Sequence, residues 1–529
     1  MKRNCPLSVA FILALASSCS HALQNGPDGP PYSQNQVSHD EIVLGERLED
    51  PYSLENIRSA YVSLYPTKAR EDIQPTDCYV RFLPRDEEQF ARLRSAGLQM
   101  LDHPMDYEIV REGDYYHDPS LGEEDITWQY TVVPADFTFP DDIRYEILHN
   151  CYIREDSPLA KSSSDIDWSA VEAESFRITG NGALLQNGLK GGPGGEASAR
   201  PSGRITITDP KANGGQPVGV EGVTVSCNVF VKFASAYTDR DGYYTIPKTF
   251  SAAPRYRLVF KNKKGFSIGF NTVLYPASIS SLGTNPMEGV SINVNENSER
   301  KLFRRCVVNN AASEFYARCD IGDLNLPGPP SDLCFWMFDI FDASSAVMLH
   351  HGTLLDRNSS NTIFKIVSWV VCLFGPDITL GTSLCNSYQE IYSQVCHEMA
   401  HACHFRQTGV DYWNEYIKYI VFSALMGQDM YGDGTAEGSG YCAVGEMWAY
   451  YLQSKMYKER YGGANPAFGT SQWFHPQILT GVEDRGLSAS DIFAALTSSV
   501  RSKDALRDRL GEMYPSKKTS IDQIFNRYD

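Results

Sequence analysis

His397-Glu398-Met399-Ala400-His401 reads HExxH. On a helix, residues at i and i+4 project from one face, so His397 and His401 can grip a single zinc ion. The glutamate between them then lies beside the position where a water would bind. With only 11 histidines in 529 residues, this pairing around a glutamate is a specific signal. The flanking sequence predicts the helix that the motif needs. No proline or glycine occurs from Asn386 to Phe405, and Ile391, Val395, Met399 and Ala402 recur at helical spacing as an apolar stripe. At 100° per residue, His397, His401 and His404 fall within an arc of roughly 60° beside that stripe. Gly409, after Thr408, is a suitable C-terminal stop.

Catalytic zinc takes three protein ligands plus water, so one more donor is required. A metzincin would supply glycine and then histidine further along the same helix, but His404 and Gln407 stand at those places. The third ligand must come from another element. Glu446, in Gly445-Glu446-Met447-Trp448-Ala449-Tyr450-Tyr451, is the favoured candidate, on a second helical stretch running to about Arg460. Glu415, Asp429, Asp433 and Glu437 are its rivals. The aromatic-rich segment Asp411–Met426 and the glycine-containing segment Gly427–Gly440 are long enough to let the second helix fold back along the first.

HExxH with a downstream glutamate resembles the gluzincin arrangement. The longer text, His397-Glu-Met-Ala-His-Ala-Cys-His404-Phe and Gly-Glu446-Met-Trp-Ala-Tyr-Tyr, resembles zinc peptidases encoded as surface lipoproteins in Bacteroidetes. The resemblance implies a zincin-like fold, one catalytic zinc ion on His397, His401 and Glu446, and Glu398 as general base. Gluzincins such as thermolysin orient a ligand histidine with an acidic residue four places after the ligand glutamate. Tyr450 stands there, so the groups around the ligands must be built differently.

The expected chemistry is peptide-bond hydrolysis. Zinc lowers the pKa of bound water towards about 7 and polarises the carbonyl, while Glu398 accepts the water's proton and returns it to the leaving amine. A second donor should stabilise the oxyanion, with Tyr431, Tyr441, Tyr450 and His475 as candidates. His404 lies about 10 Å along the helix axis from His397, which favours a structural role. His350-His351 follow an apolar run and read as structural.

The N-terminus carries Lys2 and Arg3, the short apolar run Leu7–Ala16 and then small residues, the layout of an export signal. Ala16-Ser17-Ser18-Cys19 approximates a lipobox that would leave Cys19 lipidated, and Ser20-His21-Ala22 is an alternative signal-peptidase site. The expected location is the outer membrane or cell surface, with secretion or the periplasm as the alternative. Membrane contact would come through the anchor alone. Thirteen cysteines include no C-x-x-C pair. Export permits disulfides, and Cys306 with Cys319 or Cys372 with Cys385 are the pairs near enough in sequence to consider. The net charge of −18 argues against nucleic acid, leaving a protein or peptide substrate as the expected partner.

The chain divides into a multidomain α+β arrangement. A signal peptide at 1–19 and a tether at 20–40 precede an N-terminal α/β module at 41–177, where Tyr79–Phe82 alternates as a strand and Asp86–Leu93 reads as a helix. A Gly-rich linker spans 178–202. From 203 to 291 the period becomes two, in Gly203–Asp209, Gly222–Val225 and Tyr256–Phe260. With Pro217–Val223 and Thr238–Tyr244, this resembles a carboxypeptidase regulatory-like domain, a transthyretin-like β-sandwich. Asp239 and Asp241 within it read as a polar turn. The remainder, 292–529, would be the zincin-like peptidase domain. Strand-like runs at Phe335–Phe341 and Phe364–Phe374 precede the HExxH helix, and a helical lower lobe from Trp473 carries capping signals at Ser488 and Ser520.

The alternative to an endopeptidase is a zinc-containing surface binding or adhesion lipoprotein without turnover. Glu398 argues for the enzyme, since a purely structural site needs no base beside an open position. An aminopeptidase is the weaker enzymatic option, because its Gly-x-Met-x-Asn type of motif does not occur.

Overall fold

A computed structural model describes residues 41–67, 73–113, 115–122, 125–154, 166–186, 198–269, 279–338, 344–353, 375–425, 431–466 and 468–528. The expected leader with Cys19 and tether, residues 187–197 of the Gly-rich stretch, the run Phe364–Phe374, Cys372 and Asp429 lie outside the described residues. The architecture is mixed α+β, with several small sheets and many helices. No helix among the described residues is long and apolar enough to cross a membrane.

The N-terminal part runs β1 (Val43–Arg47), α1 (Leu54–Leu64), β2 (Asp77–Leu83), α2 (Glu87–Ser95), β3 (Tyr107–Arg111), β4 (Gln129–Pro134), β5 (Arg144–Cys151), α3 (Trp168–Ile178) and α4 (Gly182–Gln186). Antiparallel pairing gives a three-stranded sheet of order β4-β2-β5 and a separate β1-β3 pair. The alternating Tyr79–Phe82 run is the central strand, and the acidic stretch after it is α2, as the periodicities predict.

Nine strands follow: β6 (Ser202–Thr208), β7 (Pro217–Gly219), β8 (Thr224–Val229), β9 (Lys232–Tyr237), β10 (Tyr243–Thr245), β11 (Arg255–Val259), β12 (Ser267–Gly269), β13 (Ile279–Thr284) and β14 (Ile292–Val294). One sheet has the order β10-β6-β14 with β7 on β6, and another the order β13-β11-β8-β9. Ile205 and Ile207 on the first, and Val225, Cys227, Tyr256 and Leu258 on the second, enter one core. The turn before β10 is the polar turn expected: Asp239 Oδ1 accepts the Asp241 and Tyr243 N–H groups at 2.9 and 2.8 Å. Gly242 there has φ 84°, and a Cβ on it would lie 2.0 Å from the Ile205 carbonyl oxygen.

The C-terminal part begins with α5 (Arg300–Asp320), followed by β15 (Cys334–Phe338), β16 (Ser345–Ala346) and β17 (Ile378–Gly381). Then come α6 (Tyr388–Thr408), α7 (Val410–Leu425), α8 (Ser439–Tyr461), α9 (Gln477–Asp484), α10 (Ala489–Ala495), α11 (Lys503–Met513) and α12 (Lys518–Phe525). The sheet order is β12-β15-β17-β16, parallel except for β16. Strand pairing crosses residue 292 in both directions: β14 joins β6, and β12 joins β15. Helix α5 is buried along most of its length, and its Arg305 donates to Ser280 Oγ at 2.9 Å.

Two sequence expectations are corrected. Cys306 and Cys319 are free thiols on the same helix, some 20 Å apart along its axis; the pair Cys372 with Cys385 has its first member outside the described residues. Ser520 lies inside α12 and does not cap it; the preceding 3₁₀ turn Pro515–Lys517 runs straight into the helix, so its start needs no Ser. The capping box at Ser488 with Asp491 is present.

Candidate metal centre

Helix α6 forms where the sequence requires it. Ser387 caps it with a full capping box to Glu390, and Gly409 at φ 83° ends it. Its Val395, Met399 and Ala402 are fully buried, which fixes the rotation that turns His397 and His401 toward α8. Two contacts set how α8 sits against α6 and α7. The Trp448 indole donates to the Ala400 carbonyl at 3.0 Å, and Gly445 lets α7 approach, since a Cβ there would meet the Tyr416 ring at 3.4 Å.

This packing brings His397, His401 and Glu446 together, all buried. His397 Nε2 lies 3.2 Å from His401 Nε2 and 3.4 Å from Glu446 Oε2, while His401 Nε2 lies 3.4 Å from Glu446 Oε1. Tetrahedral zinc with N and O bonds of about 2.0–2.1 Å sets its donor atoms roughly 3.3–3.4 Å apart, so the three donors already have the required spacing. The donor chemistry fits as well. Glu446 Oε2 is buried with no hydrogen-bond partner, and two imidazole nitrogens face each other across a carboxylate. Burial opposes the Glu446 charge, but His401 and His397 outweigh it and hold the carboxyl below its usual range.

Two residues that the sequence did not point to hold the donors in place. Gln453 Nε2 donates to Ser393 Oγ at 2.9 Å, which orients its Oε1 to His397 Nδ1 at 3.2 Å. Because Oε1 can only accept, Nδ1 carries the proton and Nε2 presents its lone pair. Tyr416 donates to Glu446 Oε1 at 2.5 Å. Gln453 follows Glu446 by seven residues on α8 and so shares its face; that spacing was the one available signal. Tyr416 sits in the stretch that sequence treats as a spacer, and nothing local marks it.

Glu398 is buried beside the pair, near the Ala346 backbone N–H of β16. Burial first, and the Glu446 charge second, push its pKa well above the ordinary carboxyl value. The rival ligands lie elsewhere. Glu415 is exposed and paired with Lys418 at 2.6 Å, Asp433 is exposed and accepts from Thr435, and Glu437 is exposed.

His404 is fully buried among Tyr412 and Trp413, with both ring nitrogens unpartnered, and burial lowers its pKa to about 3. It is a neutral packing residue here. His351 bridges Asp377 and Asp332 at 2.9 and 3.2 Å, and His350 stands 3.9 Å from Asp332. Among the oxyanion candidates, the Tyr450 ring packs on His397 at 4.6 Å and its hydroxyl meets that of Tyr431 at 3.1 Å. Tyr441 packs on Tyr412, and His475 on Tyr528. The chain matches no family model, and neither a curated protein nor a solved structure matches it.

Proposed function

We propose that this chain is a zinc-dependent metallopeptidase that hydrolyses peptide bonds as an endopeptidase of the gluzincin type. The observation that carries the reading is the triangle of His397, His401 and Glu446 donors at 3.2–3.4 Å, with the Glu398 carboxyl on the same helix beside it. When bound, a single zinc ion supplies Lewis acidity towards the scissile carbonyl and acidifies the attacking water.

The chain's own residues do the rest. Gln453 fixes the His397 tautomer, and Tyr416 holds the Glu446 carboxylate in one orientation. Glu398 takes a proton from the water that attacks the peptide carbon, then hands it to the amine nitrogen as the C–N bond breaks. The donor for the developing oxyanion comes from the Tyr431–Tyr450 hydroxyl pair on the His397 side. The two sheets formed by β6–β11, β13 and β14 serve as the carboxypeptidase regulatory-like module, a transthyretin-like sandwich positioned against a zincin-like domain. The leader places the enzyme at the bacterial surface, anchored through Cys19, where it meets protein or peptide substrates.

Glu398→Gln keeps the size of the side chain and removes the proton acceptor. It should retain zinc and fold while losing about 10²–10⁴-fold in turnover, read as zinc content alongside cleavage of a diverse peptide library. A variant as active as wild type would end the mechanism. A wild-type protein that holds zinc but cleaves nothing in the library would leave the binding lipoprotein as the better reading.

A further inference from the structure

A second set of mixed donors lies in the N-terminal sheet. Where β5 pairs with β2, Tyr79 opposes His149 and Val80 opposes Ile147, so Leu148 is an extra residue, a β-bulge. Side chains alternate along a strand, and an inserted residue flips the phase. Glu146, before the bulge, pairs across the sheet with Arg81; because of the inserted residue, His149 and Cys151 after it fall on that same face, with Tyr79. Asp50 meets them from the segment before α1. Its Oδ1 accepts the Tyr52 N–H at 2.9 Å, its carbonyl accepts from Asn56 Nδ2 at 2.9 Å, and Ser53 bridges to Cys151 through the backbone. The carboxylate is thereby fixed with Oδ2 2.8 Å from His149 Nε2.

We propose that Asp50, His149 and Cys151 form a second metal site, for a borderline divalent cation of the zinc class, separate from the His397–His401–Glu446 centre. Their donor atoms, an imidazole nitrogen, a thiol sulfur and a carboxylate oxygen, lie within 4.8 Å of one another. Zinc bonds of about 2.0 Å to N or O and 2.3 Å to S need donors about 3.3–3.6 Å apart, so a small side-chain rotation closes the set. Sulfur and imidazole together select zinc or cobalt over calcium and magnesium, which take oxygen.

Burial and charge agree with a cation. Asp50 and Cys151 are buried, and among the described residues no lysine or arginine pairs with Asp50, while the nearby Asp106 is paired with Arg47 at 2.8 Å. Binding would release the Cys151 proton to solvent, leaving one positive charge to be balanced by the carboxylate. His149 is partly exposed and, with Asn150, Ser53 and Arg58, lines an open cleft of about 980 Å³, which gives an ion a route in. Three protein donors would leave a fourth position for water. The site would staple the Asp50–Ser53 turn to the end of β5.

Cobalt separates the two centres, because only the second contains a thiolate. Metal-free full-length protein titrated with Co²⁺ should develop a near-ultraviolet thiolate-to-cobalt charge-transfer band. The band should survive Glu446→Ala and vanish in Cys151→Ser. With Zn²⁺, wild type should bind two equivalents, and Cys151→Ser and Glu446→Ala one each. Absence of the band in wild type, or its persistence in Cys151→Ser, overturns the site. Should Cys151→Ser fail to fold by circular dichroism, His149→Gln, altered at a partly exposed side chain, decides: a folded protein that keeps the band and both equivalents overturns the site. Loss of zinc in Glu446→Ala bears on the peptidase centre alone.

Discussion

Glu446 divides its two oxygens between different tasks. Oε2 faces His397 without a hydrogen bond of its own, while Oε1 takes the Tyr416 hydroxyl at 2.5 Å. A carboxylate in a buried site can rotate about its last torsion, and a donor fixed on one oxygen stops it. Tyr416→Phe removes that donor while keeping the ring that packs on Trp413. Under the proposed assignment it should weaken zinc binding about 10–100-fold with little change in fold. Chelator competition measures this, and an unchanged affinity would make Tyr416 a packing residue only. The pairing of Tyr416 with Glu446 was not legible beforehand, because it joins side chains on two helices whose relative rotation follows from packing.

Helix α6 starts at a capping box, and its cap is separable from its chemistry. Ser387→Ala should cost about 0.5–2 kcal/mol of stability in chemical denaturation, since Glu390 N–H loses its acceptor. Under the proposed assignment zinc content should stay as in wild type, because the proposed ligands begin ten residues further on; loss of zinc on this change would mean that fraying reaches His397. A different dependence belongs to His351, which links β17's neighbour Asp377 to Asp332. Burial works against a charge on its ring, but the bonds and charges of Asp377 and Asp332 outweigh it, so its pKa is raised. A raised folded pKa stabilises fully below the ordinary imidazole value of about 6.5 and fades as pH rises through the folded value. The stability advantage of wild type over His351→Gln should therefore be largest in mild acid and shrink at alkaline pH. Urea midpoints across pH give the test, and a pH-independent difference would refute it.

Across the molecule, Arg460 ties three regions together. At the end of α8 it reaches Asp209, after β6, at 2.9 Å and Glu314 on α5 at 2.7 Å, with the rings of Tyr388, Tyr392 and Tyr461 around it. Asp209 is buried, so removing the arginine strands a carboxylate. Arg460→Met should cost about 3–5 kcal/mol, and adding Asp209→Asn should recover part of that loss. Strictly additive losses in the double variant would show the two residues to be uncoupled. This link joins the strand-rich part to the helix bearing Glu446, so its loss should also broaden the unfolding transition.

The HExxH helix was readable because its information is local. Two proposed ligands and the proposed base lie within five residues, and the helix that presents them is written in its own apolar stripe, cap and glycine stop. The alternating strands β2, β6, β8 and β11 were readable for the same reason, since period two is visible within one strand. Glu446 could be nominated as a helix carboxylate at a workable distance in sequence, but its place beside His397 depends on α8 packing over Ala400 and Gly445. Partnerships across elements left no local trace. Gln453 and Tyr416 at the centre, β12 pairing with β15, and the bulge that turns His149 and Cys151 toward Asp50 all depend on how separate segments dock. A periodicity records which face of an element is buried. It does not record which other element buries it, and that docking is what brings donor atoms to within bonding distance of one another.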